Sequence, residues 1–436
     1  MPVYEEIILK NMKLPGYKGE ISDYKSQGGY RALSKVLKEL TPDQVIEIVK
    51  QSGLRGRGGA GFPTGLKWSF IPKDPQVPKY LCCNADESEP GTFKDRQLIE
   101  RDPHQMIEGL IISSYAIGAH VAYIYTRGEF FHGAVVLEKA LAEARDCGYI
   151  GKNILGSGYD LEVFVHRGAG AYICGEETAL LESIEGKRGM PRFKPPFPAT
   201  HGLYGKPTVV NNVETLANVP HIILRGAEWY ASIGTPKSAG TRIFSVSGHV
   251  KRPGNYEVPM GISLRELIYE HAGGILGDRR LKAVIPGGAS AAFFTPDHLD
   301  VKLDFEEVAK AGSMLGSGGV TVMDETICMV WAAMNLLQFF HHESCGKCTP
   351  CREGSFWLHR VLKRIEEGQG QMEDLDLMVN LSNNIGGKTI CAFGDAEIAP
   401  VLSTLKYFRG EYEDHIRQRR CTLRQLPALA GSPTSA

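Results

Sequence analysis

The sequence predicts an α/β protein built from more than one core, on three observations. Short apolar strands alternate with amphipathic helices over the first half. A stretch of short strands around one helix follows, and a helical C-terminal region carries clustered cysteines. At 436 residues the chain is too long for one ordinary core. Its 43% hydrophobic and 23% charged content is that of a water-soluble globular protein. A formal net charge of -1 gives no footing for nucleic acid.

The elements follow in order. Thr41-Pro-Asp-Gln44 opens a helix, with Thr41 as cap, Pro42 in the first turn and Gln44 closing a capping box; Gly53 ends it. Tyr80–Cys83, Val121–Tyr125 and Leu161–Val165 are short buried strands, with helical patterns near 104–118 and 131–146 between them. Alternating βαβ units of this kind imply a parallel sheet. Five prolines between Arg188 and Pro207 make that stretch a loop, and a helix is expected around 212–225. From Arg242 to about Val322, strands at Ile243–Val250, near Arg252–Gly254 and at Ala283–Gly288 surround a helix within Leu264–Gly274. Beyond Asp324 the pattern is helical, and Ala430–Ala436 is expected to be disordered. Met1–Lys18 lacks the basic-then-apolar order of a signal peptide, and no apolar run is long enough to cross a bilayer. Membrane contact is therefore expected only through partners.

Cys345, Cys348 and Cys351 are each separated by two residues within Glu343–Gly354, and Cys391 follows forty residues later. Three thiolates from one short loop and a fourth from elsewhere suit a [4Fe-4S] cluster. Gly346 and Gly354 allow close backbone approach, Pro350 stiffens the loop, and Lys347 and Arg352 are expected to place positive charge beside the cluster. Zinc is the competing ion, with His341 and His342 just upstream. Cys82, Cys83, Cys147, Cys174, Cys328 and Cys421 are read as packed thiols, and ten cysteines in all are too few for a disulfide scaffold.

Gly56-Arg-Gly-Gly-Ala-Gly61 satisfies G-x-G-x-x-G but follows a helix, not a strand, so an ordinary Rossmann assignment fails. What remains is a loop of exposed N–H groups able to hold phosphate, with charge expected from Arg55, Arg57 and Lys67; Phe62 and Phe70 could stack on a purine. Asn84–Glu89 follows a strand, where ligands gather in open α/β sheets. Gly168–Ser183 repeats that arrangement, with a helix starting near Gly175, and Asn211–Thr215 starts another with amides suited to capping or to a ligand.

Together Gly168–Ser183 and Glu343–Gly354 resemble the flavin and cluster signatures of the NADH-oxidising flavoprotein subunit of respiratory complex I, and the likeness runs from the Gly-rich loop through Cys391. The resemblance implies a Rossmann-like FMN domain with a short parallel sheet (1–240), a β-grasp-like module (241–323) and a helical bundle carrying the iron–sulfur cluster (324–436). It implies that FMN contacts Gly56, Arg57, Gly58, Lys67, Asn84, Asp86, Glu87 and Ser88 on one side. Tyr172, Gly175, Glu176, Glu177, Val210, Asn211, Asn212 and Thr215 complete the pocket. NADH would stack its adenine between Phe62 and Phe70, with Glu89, Glu177, Lys194 and Phe197 around its riboses and nicotinamide. Tyr172 and Glu177 would position the reacting rings, and Cys345, Cys348, Cys351 and Cys391 would ligate the cluster. Implied partners are a thioredoxin-like [2Fe-2S] subunit and a larger iron–sulfur subunit leading to quinone, with the chain cytoplasmic and peripheral on the inner membrane. The alternatives are a diaphorase subunit of a soluble hydrogenase or formate dehydrogenase, and a zinc-binding scaffold without catalysis.

Overall fold

Thr41 does what its sequence context requires: its hydroxyl accepts from the Gln44 amide while the Gln44 side chain accepts from Thr41 N–H, a closed capping box. The computed structural model describes residues 4–423, so the expected disorder of Ala430–Ala436 lies outside the described residues. Helices α1 (Ile21–Ser26), α2 (Arg31–Glu39), α3 (Pro42–Gln51) and α4 (Thr64–Ser69) precede strand β1 (Tyr80–Ala85). Then come α5 (Lys94–Arg101), α6 (Pro103–Ile117), β2 (Val121–Thr126), α7 (Phe131–Asp146) and β3 (Glu162–Arg167). Helices α8 (Glu177–Ile184) and α9 (Pro198–His201), strand β4 (Thr208–Asn212), and helices α10 (Val213–Arg225) and α11 (Ala227–Ala231) complete this part.

The four strands form one parallel sheet in the order β3-β2-β1-β4, with Tyr80 opposite both Val121 and Thr208. Central β1 buries Leu81, Cys82 and Cys83 completely, as a parallel strand covered on both faces must. Strand β4 emerges directly from the proline-rich stretch, which hid it from sequence patterning. All four strands point their carboxyl ends the same way, and the polar segments after β1 and β4 meet there.

A small hairpin, β5 (Gly234–Thr235) and β6 (Ser238–Ala239), leads into a second sheet. Its strands are β7 (Thr241–Gly248), β8 (Gly254–Pro259), β9 (Leu281–Ile285) and, after α12 (Phe305–Lys310), β10 (Gly319–Asp324). Order β8-β7-β10-β9, with β10 parallel to β7 and the other pairs antiparallel, is the β-grasp arrangement. The expected helix inside Leu264–Gly274 is a π-helical turn at Glu266–His271. The chain's beginning is fastened to this sheet, because buried Glu257 accepts from the backbone N–H groups of Ile7, Ile8 and Leu9.

Four helices close the fold: α13 (Met329–Glu343), α14 (Thr349–Glu366), α15 (Glu373–Ile385) and α16 (Phe393–Gln418). Their apolar faces share a core of Leu337, Leu358, Leu362, Leu375, Met378 and Val401. A separate apolar cluster joins this bundle to the parallel-sheet part through Ile173, Leu180, Phe340, Cys351 and Phe393.

Candidate active site and cofactor pocket

A cavity of about 520 Å³ opens at the carboxyl ends of the parallel strands. All three parts of the fold line it: Gly58, Asn84 and Tyr172 from the first, Ser290 and Ser317 from the β-grasp module, Cys391 and Phe393 from the bundle.

The first wall is built by the turn after β1. Asn84 fixes it from both sides, donating to the Gly175 carbonyl at 2.9 Å and accepting from Asp86 N–H at 3.1 Å. The Ser88 hydroxyl donates to Asp86 Oδ1 at 2.8 Å, while Asp86 Oδ2 is buried without a partner among the described residues. Burial pushes the Asp86 carboxyl up to about 7, against the pull of that Ser88 bond. Glu87 lies deeper, accepting from the N–H groups of Asp95 and Arg96, and burial raises it as well. Glu89 accepts from the Tyr172 hydroxyl at 2.6 Å and from both N–H and Oγ of Ser290. Gly288 (φ +94°) is required here, since a Cβ would stand 2.5 Å from Glu89 Cγ.

The glycine loop lies between α3 and α4, its ends pinned by an Arg55–Pro63 bridge, in the helix–loop–helix context that excludes an ordinary dinucleotide turn. Gly58 faces the cavity, where a Cβ would crowd Asn212 at 3.0 Å. The charge expected from the loop arginines is directed elsewhere. Arg57 is fully buried, its guanidinium donating to the Tyr230 hydroxyl and to the carbonyls of Arg55, Ala239 and Thr241. Only its backbone N–H remains on the loop side, held by Thr215 Oγ1 at 2.8 Å. Arg55 pairs with Glu306 of α12. The buried cation on the cavity wall is instead Lys94, clasped by Asp95 at 2.8 Å and Glu214 at 2.7 Å.

The second wall is the Gly168–Ser183 segment. Glu176 caps α8, accepting from the N–H groups of Thr178 and Ala179, and Gly175 lies against Asp86. Outside this rim the remaining expected contacts form a chain. Lys67 donates to Glu177 at 3.2 Å and to the Val210 carbonyl at 2.8 Å, and Lys194 bridges Glu176 and Glu177. Burial works against the Glu177 charge, but Lys67 and Lys194 together hold its carboxyl below the usual range. Asn211 accepts from the Trp68 indole, while Asn212 caps α10 and donates to Asp95. Phe62, Phe70 and Phe197 are about half exposed. The Phe62 and Phe70 centroids are 6.2 Å apart at an angle of 53°. A base stacked between two rings needs roughly 7 Å, so the pair must part slightly to admit one.

Of the four cysteines expected as ligands, Cys345 and Cys348 lie between α13 and α14, Cys351 in the first turn of α14 and Cys391 just before α16. Cys345, Cys348 and Cys391 are half-buried and Cys351 is buried. Cys348 Sγ accepts from the Ile390 N–H at 3.5 Å, bringing the two chain segments together. Lys347 donates to the Pro191 carbonyl, and Arg352 donates to Glu353 and to the Gly346 carbonyl beside Cys345. Of the cysteines read as packed thiols, Cys147 is exposed. Four thiols without a histidine among them are a donor set for an iron–sulfur cluster. The polar, partly unpartnered cavity with glycines at its edges suits a flavin phosphate and its hydroxyls.

These features define a flavin- and iron–sulfur-containing oxidoreductase subunit. Residues 49–221 match the Nuo51 FMN-binding domain, 243–294 the SLBB domain, and 331–415 the NADH-ubiquinone oxidoreductase-F iron-sulfur binding region. The second NADH-quinone oxidoreductase F-type subunit of Rhizobium meliloti (strain 1021) is 58% identical over 420 residues, 96% of this chain and 99% of that one. The F-type subunit of the Mycobacterium tuberculosis (strain ATCC 25618 / H37Rv) NADH-quinone oxidoreductase is 56% identical over 90% of this chain and 89% of its own. The chain belongs to this family of NADH-quinone oxidoreductase F-type subunits. A crystal structure of an NAD+-reducing [NiFe]-hydrogenase in the H2-reduced state has the same fold, with TM-score 0.81 and 36% identity over 94% of this chain and 67% of that one.

Sequence reasoning missed Lys94, Asp95, Ser290 and Ser317 on the cavity wall. The acid and the lysine carried no spacing signal, and the serines come from a different core some two hundred residues away.

Proposed function

We propose that this chain is the NADH-oxidising flavoprotein subunit of an NADH-quinone oxidoreductase, taking hydride from NADH and passing electrons one at a time through a [4Fe-4S] cluster to partner subunits. The observation that carries this reading is that Cys391 lines the same cavity as the glycine loop, the Asn84–Glu89 turn and Tyr172. Bound FMN supplies the conversion between a two-electron donor and a one-electron acceptor.

The residues' work is to bind, orient and exclude water. Gly58, Gly59 and Ala60 line the cavity, and their backbone N–H groups would hold phosphate together with the Lys67 ammonium. Asp86 Oδ2 takes a donor from the ligand, and the Asn84, Asn211, Asn212 and Thr215 network keeps the loops in place. Tyr172 and Glu177 set the stacking geometry, since hydride transfer needs aligned rings more than a base. Phe62 and Phe70 hold the adenine, with Glu89, Lys194 and Phe197 placed for the remainder of NADH. Toward the bundle, Tyr172 meets Phe393 edge-on at 5.8 Å, two residues from Cys391.

No described helix is long and apolar enough to cross a membrane. A thioredoxin-like [2Fe-2S] subunit and a larger iron–sulfur subunit are the partners we assign, with the chain on the cytoplasmic face of the inner membrane. We divide the chain at 240/241 and 323/324; three apolar cores lie mainly within these parts, with Ile243 packing on the first and Met329 on the β-grasp module. The hydrogenase likeness keeps a diaphorase role as the second reading, but the relatives at 56–58% identity favour the quinone-linked one.

The test is direct. The purified chain, loaded with flavin and iron, should reduce ferricyanide with NADH and leave quinone untouched. Quinone reduction by the chain alone overturns the assignment of its acceptor to partner subunits.

A further inference from the structure

The far end of the helical bundle holds a second set of metal-binding side chains, unrelated to the cluster cysteines. Cys328, Glu366, His415 and Cys421 are all buried, and one ligand atom from each lies within 4.8 Å of all the others. Cys328 Sγ is 3.3 Å from His415 Nε2 and 3.6 Å from Glu366 Oε2, and Nε2 is 3.2 Å from that same carboxylate oxygen. Edges of about 3.3–3.8 Å are those of a tetrahedron around a zinc ion with bonds of about 2.0–2.3 Å.

The surroundings orient these atoms as ligands. His415 Nδ1–H donates to the Glu411 carbonyl at 2.6 Å, which fixes the ring with Nε2 toward the other three side chains. Cys328 caps α13, and its sulfur accepts from the Trp331 N–H at 3.4 Å, which fixes the side chain at the start of that helix.

We propose that Cys328, Glu366, His415 and Cys421 bind one zinc ion in a closed, four-ligand structural site. Two sulfurs, one imidazole and one carboxylate leave no open position for a substrate, so the site staples rather than catalyses. Its position supports that role. Cys328 begins α13, Glu366 ends α14 and His415 lies near the end of α16, whereas the iron–sulfur cysteines sit at the opposite ends of the same three helices. Helices of 15 and 18 residues place about 22–27 Å between the two poles. The zinc site shares no residue with the flavin pocket and does not depend on how that pocket is read.

The experiment uses the full, flavin- and iron-loaded chain from zinc-supplemented growth, freed of loose metal. Elemental analysis should give about one zinc beside about four iron per chain, and zinc-edge X-ray absorption should show about two sulfurs at ~2.3 Å with nitrogen and oxygen nearer. Zinc below about a tenth of an ion per chain, or a zinc coordination sphere lacking sulfur, overturns the proposal. In Cys421→Ser the zinc content should fall roughly fivefold or more while iron and flavin per chain stay constant. Undiminished zinc in both that variant and Cys328→Ser overturns the ligand assignment. Should either variant fail to fold, the absorption spectrum of the unaltered chain decides alone.

Discussion

The Tyr172 hydroxyl donates to Glu89 Oε2 at 2.6 Å, tying the segment before α8 to the turn after β1 across 83 residues of chain. Both side chains line the cavity, and Ser290 of the β-grasp module holds the other carboxylate oxygen. One hydrogen-bonded carboxylate thereby fixes the relative positions of three separate parts of the wall.

Replacing Tyr172 by Phe removes one donor from a buried carboxyl and should cost about 1–3 kcal/mol of stability. The cost depends on pH. Burial raises the folded-state value of Glu89 above its ordinary one, so its stabilising contribution is complete at low pH and is lost as pH rises through that value. Losing the Tyr172 donor raises it further. The difference in melting temperature between Tyr172→Phe and the unaltered chain should therefore be larger at pH 8 than at pH 5; an equal difference at both refutes this.

Discrimination between NADH and NADPH provides the next test. Glu89 is expected to oppose a ribose 2′-phosphate, most strongly at pH 8, where its carboxyl, raised by burial, is most fully charged. NADH should be the preferred donor, and Glu89→Gln should raise relative kcat/KM for NADPH by about tenfold, roughly 1.4 kcal/mol. Equal kcat/KM for both donors in the unaltered chain would show that charge at this wall does not select the cofactor.

Arg57 should behave as a structural residue despite its place in the glycine loop. Arg57→Ala removes the donors to the carbonyls of Ala239 and Thr241 and should destabilise the fold by about 1–3 kcal/mol for each acceptor left unsatisfied. Arg57→Lys should rescue little, because an ammonium cannot reproduce the forked contacts. Chemical denaturation measures this. A variant with unchanged stability but weakened flavin affinity would return the guanidinium to the phosphate.

Cys391→Ala should abolish the low-temperature EPR signal of the reduced cluster while flavin remains bound. An unaltered signal in that variant removes Cys391 from the ligand set.

How far the sequence carried is clearest at the cysteines. Cys345, Cys348 and Cys351 stand out because three cysteines on one short stretch leave a local spacing. Cys328 and Cys421 are buried as read, but their approach to Glu366 and His415 was not legible, because the four come from widely separated positions and helix packing alone unites them. Asn84–Glu89 was legible as the end of a strand, a position where polar side chains have a reason to cluster. The direction of Arg57 was not, since glycine-loop arginines and buried structural arginines have the same local sequence. Strand β4 hid behind prolines, and Ser290 and Ser317 reach the wall only through the docking of the β-grasp module. The two signatures together still pointed to the correct family.

The three-part wall of the cavity has a consequence for how the protein is made. A ligand gripped by residues from three separately packed cores stabilises their mutual docking as well as itself. Free flavin at about a hundred times its dissociation constant adds roughly 2.7 kcal/mol to the assembled state, by mass action. The cofactor therefore bears on assembly as well as on turnover: flavin loading should raise the melting temperature of the chain with rising flavin concentration.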